Sequence, residues 1–250
     1  MGKADKKKSR FGLVGKNISY SFSRSYFTAK FEQLGLGKHS YENFDLSSIR
    51  EFKELIQKTP SIKGLNITIP YKEAVIPYLD RIDPQASEIG AVNTVQFGDG
   101  GLVGYNTDAF GFRESLRPML NDSDKYALIL GTGGASKAVA YVLDELGIEY
   151  KYVSRNPVAN QLSYTDLNSD ILNLHTVLIN CTPLGTFPQT EQKPDLPYEH
   201  IGERHLLFDL IYNPAKTLFL KEGELKGSRI INGLKMLELQ AEKAWEIWNL

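Results

Sequence analysis

"KYALILGTGGASKAVAYVLDELG", residues 125 to 147, decides the fold. Residues 126 to 130 are an apolar run of strand length, and the glycines Gly131, Gly133 and Gly134 follow at once. Ala135, Ala138, Val139, Val142, Leu143 and Leu146 then recur at helical spacing, and Gly147 is a natural stop. A G-x-G-x-x-G-like run is weak evidence alone, but a strand before it and a helix after it give it meaning. The glycines permit a tight turn and a close approach of backbone to a pyrophosphate. The helix start behind them offers N–H donors and the positive end of a dipole. Ser136 stands at the third glycine position and is small enough to keep helix and strand packed.

The next strand, "EYKYVSRN", bears on which dinucleotide is held. A site for NAD places Asp or Glu about 20 residues on, to accept from the ribose 2′-hydroxyl. This chain has Ser154, Arg155 and Asn156 there. The guanidinium fork suits a 2′-phosphate, so NADP is favoured over NAD. The strands "TVLIN", "LLFDL" and "RIIN" continue the pattern. The segment between Arg155 and His175 is short and polar in its first part, so the helix expected there is reduced or missing. The last segment, residues 233 to 250, reads as a helix with Leu234, Leu237, Ala241, Trp245 and Trp248 on one face.

Working back towards the N-terminus, "RFGLVG", "HSYENFDL" and "GLNITI" read as strands. Helices at 25–36, around Phe27, Phe31 and Leu34, and at 46–58 separate them. This order predicts a mostly parallel sheet with helices on its faces. "GAVNTVQFGDGGLVGYNTD" reads as a hairpin. The expected architecture is α/β in two domains. A boundary near residues 106 to 109 separates a substrate domain, with 1–9 a disordered tail, from a Rossmann-like dinucleotide domain that follows it.

Composition narrows the classes. Among 250 residues, 42% are hydrophobic and 24% charged, as in ordinary globular proteins. A formal net charge of −1 gives no basic footprint for nucleic acid. The basic run at 3–10 has no apolar segment behind it and is not a signal peptide. No apolar run approaches the roughly 18 residues of a membrane span. Cys181 is the single cysteine, so a reducing cytoplasm is the expected home. His39, His175, His200 and His205 show no metal spacing and are expected at the surface or in loops; no metal is expected.

Polar residues cluster at strand and loop ends. Ser21 and Ser23 precede the first expected helix, where they suit either helix capping or a carboxylate. Asn66 and Thr68 share one strand face, with Lys72 beyond Pro70. Asn93 and Asn106 sit near the hairpin ends. Asp108 suits either a helix N-cap or catalysis. Tyr212 follows a strand, and Gln240 edges the apolar face of the last helix.

In chain order, "SYSFS", "NITIPYK", "AVNT", "NTD", "GTGGAS", "INCTPLG" and "NGLKMLELQAEKAWEIW" resemble the motifs of the shikimate dehydrogenase family, over residues 11 to 248. The resemblance implies two α/β domains with a deep cleft, the last helix returning to the first domain, so that residues 1–107 and 233–250 form the substrate domain and 108–232 the dinucleotide domain. It implies reversible NADPH-dependent reduction of 3-dehydroshikimate to shikimate in aromatic amino-acid biosynthesis. It implies Lys72 and Asp108 as the catalytic pair, and Ser21, Ser23 and Tyr212 at the substrate carboxylate. Asn66, Thr68, Asn93 and Gln240 would contact the rest of the substrate. Gly131, Thr132, Gly133, Gly134, Ala135, Ser154, Arg155, Asn156, Thr182, Leu210 and Gly233 would hold the cofactor. Lysine suits its role: hydride delivery leaves charge on oxygen, and an ammonium stabilises or protonates it.

The chain departs from the family at three positions. Val158 or Ala159 stands where many members carry a second arginine, Thr132 replaces a common alanine, and Ala109 replaces the glycine after the aspartate. The added C-terminal helix of longer members is expected to be absent. Two other readings stand beside the first. An NAD-preferring quinate/shikimate dehydrogenase calls for an acidic residue at 154 or 155. A non-catalytic sensor of shikimate-like metabolites calls for loss of Lys72 or Asp108. Expected partners are small molecules, without nucleic acid or membrane, in a monomer or homodimer.

Overall fold

Phe11, Leu13 and Val14 are all buried, so strand β1 (Ser9–Gly15) is covered on both faces, as a central strand of a parallel sheet must be. The structure, a computed structural model, describes residues 9–18 and 21–250. Residues 1–8 of the expected tail lie outside the described residues. Ser9 and Arg10 already belong to β1, where the Arg10 side chain bonds Glu42 at 3.0 Å. An acidic partner on the neighbouring strand draws them out of the tail.

The first sheet has six strands. β1 is followed by α1 (Phe22–Gln33), β2 (His39–Asp45), a 3-10 turn running into α2 (Phe52–Lys58), and β3 (Ile62–Ile67). Then come β4 (Arg81–Ile82), α3 (Pro84–Ile89), β5 (Thr94–Gly98) and β6 (Gly101–Tyr105). The order is β2-β1-β3-β5-β6-β4. β1 pairs parallel with β2 and β3; β5 runs antiparallel to both β3 and β6.

Local chemistry sets these bounds. Ser48 and Glu51 form a capping box that starts the turn before α2. α3 has Asp83 as N-cap, Pro84 in its first turn and Gly90 at φ +71 closing it. α1 starts earlier than the apolar spacing suggested, because Ser21 takes the N-cap position with extended backbone. Ser23 therefore stands inside the first turn rather than ahead of the helix. β3 ends at Ile67, not Ile69: the Tyr71 N–H donates to the Thr68 carbonyl in a turn, and Ile69 is 66% exposed.

α4 (Thr107–Leu116) follows the hairpin and opens the second half. Asp108 lies within its first turn, so it is not the N-cap. Next come β7 (Tyr126–Leu130), α5 (Gly134–Glu145), β8 (Glu149–Ser154), β9 (Leu162–Ser163) and α6 (Ser169–Leu174). β10 (Val177–Asn180), β11 (Leu206–Asp209), α7 (Leu218–Leu225), β12 (Arg229–Ile231) and α8 (Leu234–Trp248) complete the chain. The second sheet is parallel throughout, ordered β12-β11-β10-β7-β8-β9. The chain winds outward from β7 to β9, then returns to β10 and winds the other way. This is the doubly wound arrangement, with its switch point between β7 and β10. The expected reduced helix is α6, six residues long and capped by Asn168.

Contacts divide the chain into two compact units: the described residues up to Thr107 with Ala241–Leu250, and Asp108–Gln240. The expected return at residue 233 is therefore too early. Residues Leu234–Gln240 group with the second unit, where Gly111 admits the α8 backbone: a Cβ there would lie 2.5 Å from the Met236 carbonyl oxygen. The buried positions of α8 are Met236, Ala241, Ala244, Ile247 and Trp248; Leu234, expected on the apolar face, is exposed. The first unit has two apolar clusters, one on Leu65, Val92 and Val95, the other on Phe11, Phe27, Phe31 and Trp248. Leu128, Leu178, Leu207 and Phe219 centre the second unit's cluster.

Two histidines are not surface residues. His175 and His205 are buried, their ring nitrogens bonding the carbonyls of Ile171 and Leu172, and burial pushes both below the usual imidazole range. No helix among the described residues is long and apolar enough to cross a membrane.

Candidate active site

The C-terminal ends of β7, β8 and β10 enclose a pocket of about 450 Å³ at the switch point of the second unit. Gly131, Thr132 and Gly133 form one wall, Ser154, Arg155 and Asn156 another, and Cys181 to Leu184 a third. Val153 and Tyr164 complete it. Gly131 has φ +102, a conformation that favours glycine, and a Cβ there would meet Thr182 at 3.0 Å. Gly133 is different. It is the N-cap of α5, no side chain caps the helix, and a Cβ would meet nothing within 4 Å. Open space therefore faces the N–H groups of a 12-residue helix, which is the cradle a pyrophosphate needs.

Gly134 and Ala135 do not line this pocket; they form the first turn of α5. Arg155 is exposed and is the one charged side chain among the residues that line the pocket. The Ser154 hydroxyl accepts from the Asn156 N–H at 3.2 Å, which shapes the turn carrying Arg155. With no carboxylate at the end of β8, the residues present fit the 2′-phosphate of NADP better than the bare hydroxyl of NAD. Burial pushes the Cys181 thiol up, away from reactivity.

Leu210 and Gly233 lie together in the second unit but outside the pocket lining. A Cβ on Gly233 would stand 2.0 Å from the Leu210 carbonyl oxygen, so only glycine fits there. Tyr212 is half-buried on the loop after β11, Gln240 is half-buried on α8, and Asp108 is buried on α4.

The first unit gathers its own polar residues. Ser21 occupies the N-cap of α1 yet makes no capping bond, and its buried Oγ has no hydrogen-bond partner among the described residues. A buried hydroxyl left without a partner is costly, so the capping explanation fails for it. Ser23 bonds Tyr41, whose hydroxyl donates to Asn66 Oδ1 at 2.7 Å. The Asn66 amide then donates to Thr94 Oγ1 at 3.2 Å. Asn93 is buried, and its Oδ1 accepts from the Thr107 N–H at 2.7 Å and from the Thr107 and Thr94 hydroxyls at 3.2 Å. Those bonds fix the amide's orientation. Thr68 is half-buried next to β3, its N–H bonded to the Val14 carbonyl. Lys72 is half-buried in the turn beyond, where its carbonyl accepts from the Val92 N–H at 2.8 Å. Asn106 is buried and donates to the Ala91 carbonyl at 2.9 Å.

Ser23, Asn66 and Asn93 thus stand in one network in the first unit. Asp108, Tyr212, Gln240 and the nucleotide pocket belong to the second. Sequence reasoning missed Val153, Tyr164, Cys181, Pro183 and Leu184 as lining residues. The run "INCTPLG" carried the signal for three of them; Tyr164 lies in the polar segment after Arg155, which has no motif of its own.

Three comparisons bear on this arrangement. The family model described as the shikimate dehydrogenase substrate binding domain matches residues 13–95. A shikimate dehydrogenase (NADP(+)) of Staphylococcus aureus strain Newman is 39% identical over 251 residues, covering 96% of this chain and 92% of that protein. One from Methanococcus vannielii is 35% identical over 268 residues, covering 98% and 92%. The crystal structure of shikimate 5-dehydrogenase from Thermus thermophilus, in complex with NADP(H) and shikimate, superposes with a TM-score of 0.84 at 34% identity, covering 96% of this chain and 93% of that one. The doubly wound pocket, the unpartnered Ser21 and these likenesses agree: the chain belongs to the shikimate dehydrogenase family.

Proposed function

We propose that this protein catalyses the reversible NADPH-dependent reduction of 3-dehydroshikimate to shikimate, a step of aromatic amino-acid biosynthesis. The observation that carries the reading is the nucleotide pocket, where Arg155 is the one charged liner and stands where an NAD site needs an acid. Bound NADP(H) supplies or accepts the hydride. The chain's own residues bind, orient and move a proton. Ser21, Ser23 and Tyr212 hold the substrate carboxylate; Asn66, Thr68, Asn93 and Gln240 hold the ring. Lys72 holds its ammonium at the reacting carbonyl oxygen, stabilises the charge that develops there, and donates the proton. Asp108, buried on α4, is the second member of the catalytic pair. Gly131, Thr132 and Gly133 face the pyrophosphate, with Gly134 and Ala135 behind them in the first turn of α5; Ser154 to Asn156 hold the 2′-phosphate, and Thr182, Leu210 and Gly233 the nicotinamide side.

Absorbance at 340 nm tests this directly, with shikimate or quinate offered alongside NADP⁺ or NAD⁺. Rapid reduction of NADP⁺ by shikimate is expected. Faster reduction of NAD⁺, or turnover of quinate, replaces the reading with the quinate-using one, and silence in all four combinations replaces it with the sensor. In the active enzyme, Lys72→Ala is expected to lower kcat by roughly 10²- to 10⁴-fold and to change the KM for shikimate far less. A raised KM at unchanged kcat refutes the proton-transfer role.

A further inference from the structure

The third wall of the pocket is held from behind. Thr182 lines the pocket, and both its N–H and its hydroxyl donate to one atom, Asn180 Oδ1, at 3.0 and 2.6 Å. The Thr182 Oγ1 in turn accepts from the Leu184 N–H at 3.3 Å, so the whole turn hangs on that amide. Asn180 is fully buried at the end of β10 and does not itself line the pocket. Its Nδ2 donates to Asp209 Oδ1 at 3.0 Å.

Asp209 is fully buried too, at the end of β11. Its Oδ1 also accepts from the Ile211 N–H at 3.0 Å, and its Oδ2 from the Thr217 hydroxyl at 2.6 Å. Thr217 caps α7 by accepting from the Leu220 N–H. The carboxylate is thus clamped by groups outside the Thr182–Leu184 turn. An acceptor-only anion forces Asn180 to present Nδ2 to it and Oδ1 to Thr182. Charge-assisted bonds of this kind are among the stronger hydrogen bonds, so the amide cannot flip cheaply.

We infer that Asn180, with its orientation imposed by Asp209, is a positioning residue for the dinucleotide: it sets the Thr182–Leu184 wall at the distance the bound cofactor requires. Neither residue touches the ligand. The inference rests on the pocket being the dinucleotide site, and it names what keeps that site in shape. It also predicts non-additivity, because Asn180 acts chiefly through Thr182, its one other bond to the wall being a long one of 3.5 Å from Nδ2 to the Leu184 carbonyl.

The test is calorimetric titration of NADP⁺ and, separately, of shikimate, into the full chain and into Asn180→Ala, Thr182→Val and the double variant. Asn180→Ala is expected to weaken NADP⁺ about tenfold, since small misplacements of a positioning wall are costly. Shikimate binding without cofactor is expected to stay unchanged. Because the two side chains are in contact, the double variant is expected to lose no more than the worse single one. Unchanged NADP⁺ affinity in Asn180→Ala, equal weakening of both ligands, or full additivity each overturns the inference. Should Asn180→Ala fail to fold, Thr182→Val removes the hydroxyl bond, the shorter half of the tether, from the pocket side, and wild-type NADP⁺ affinity there overturns it equally. If the unaltered chain binds NAD⁺ but not NADP⁺, the proposed cofactor is wrong while the brace is tested with NAD⁺ in the same arms. If it binds neither, both readings fall.

Discussion

Asp209 shows what a buried carboxylate costs when its partners are neutral. Burial pushes its carboxyl up to about 6, against the pull of its bonds from Thr217, Ile211 and Asn180. A folded-state value above the unfolded one means the native chain binds more protons between about pH 4 and 6 than the unfolded chain does. The stabilising contribution is present below the unfolded value and lost as pH rises through the folded one, amounting to about 3 kcal/mol. Asp124 has the opposite sign: burial works to raise it, but the Arg229 guanidinium, bonded to both its oxygens at 2.9 and 3.0 Å, holds it below the usual range. Its contribution is lost on acidification. Asp209→Asn keeps a similar shape and removes one titration. The expected result is that unfolding free energy, wild type minus Asp209→Asn, falls as pH rises from 4 to 7. A difference that stays flat or grows, followed by urea melts at several pH values, would show that this group does not titrate as described.

At the scale of the elements, close approach is the recurring device. Gly64 on β3 lets the Trp248 indole lie flat on the sheet; a Cβ there would come within 2.3 Å of the ring. The indole N–H donates to the Val95 carbonyl at 3.1 Å, so the ring has no easy alternative place. Gly64→Ala should destabilise the fold by about 1–3 kcal/mol through overpacking. Urea unfolding monitored by tryptophan fluorescence checks this, and an unchanged midpoint would mean that α8 shifts freely. Elements with a long periodic pattern or a glycine signature, such as β7 with α5, were legible in the sequence. α3 was not, although Asp83, Pro84 and Gly90 mark its ends, because six residues are too few to establish a period. β4 is two residues long and is defined only by its neighbour β6. Within the site, hydroxyls and amides were legible as types but not as partners. Nothing in the sequence pairs Tyr41 with Asn66 or Asn180 with Asp209, because those bonds join residues far apart in the chain.

For the whole molecule, the dinucleotide pocket lies entirely within the second unit. A ligand that binds only the folded state stabilises it by mass action, about 2.7 kcal/mol at a concentration one hundred times Kd. NADP⁺ is therefore expected to raise the melting temperature more than NAD⁺ at equal concentration. In Arg155→Ala the NADP⁺ shift should fall to that of NAD⁺, which should itself be little changed. Equal losses for both nucleotides in a thermal-shift titration would remove Arg155 from recognition of the 2′-phosphate.

The last ten residues belong with the first unit: Trp248 and Ile247 complete its aromatic cluster, and Gln96 donates to the Ile247 carbonyl at 2.6 Å. Asp108–Gln240, by contrast, is a continuous stretch. During synthesis the half that emerges first is consequently the half that closes last. It waits with Phe11 and Phe27 uncovered until residues 241–250 have emerged, while the later half already has every strand of its own sheet.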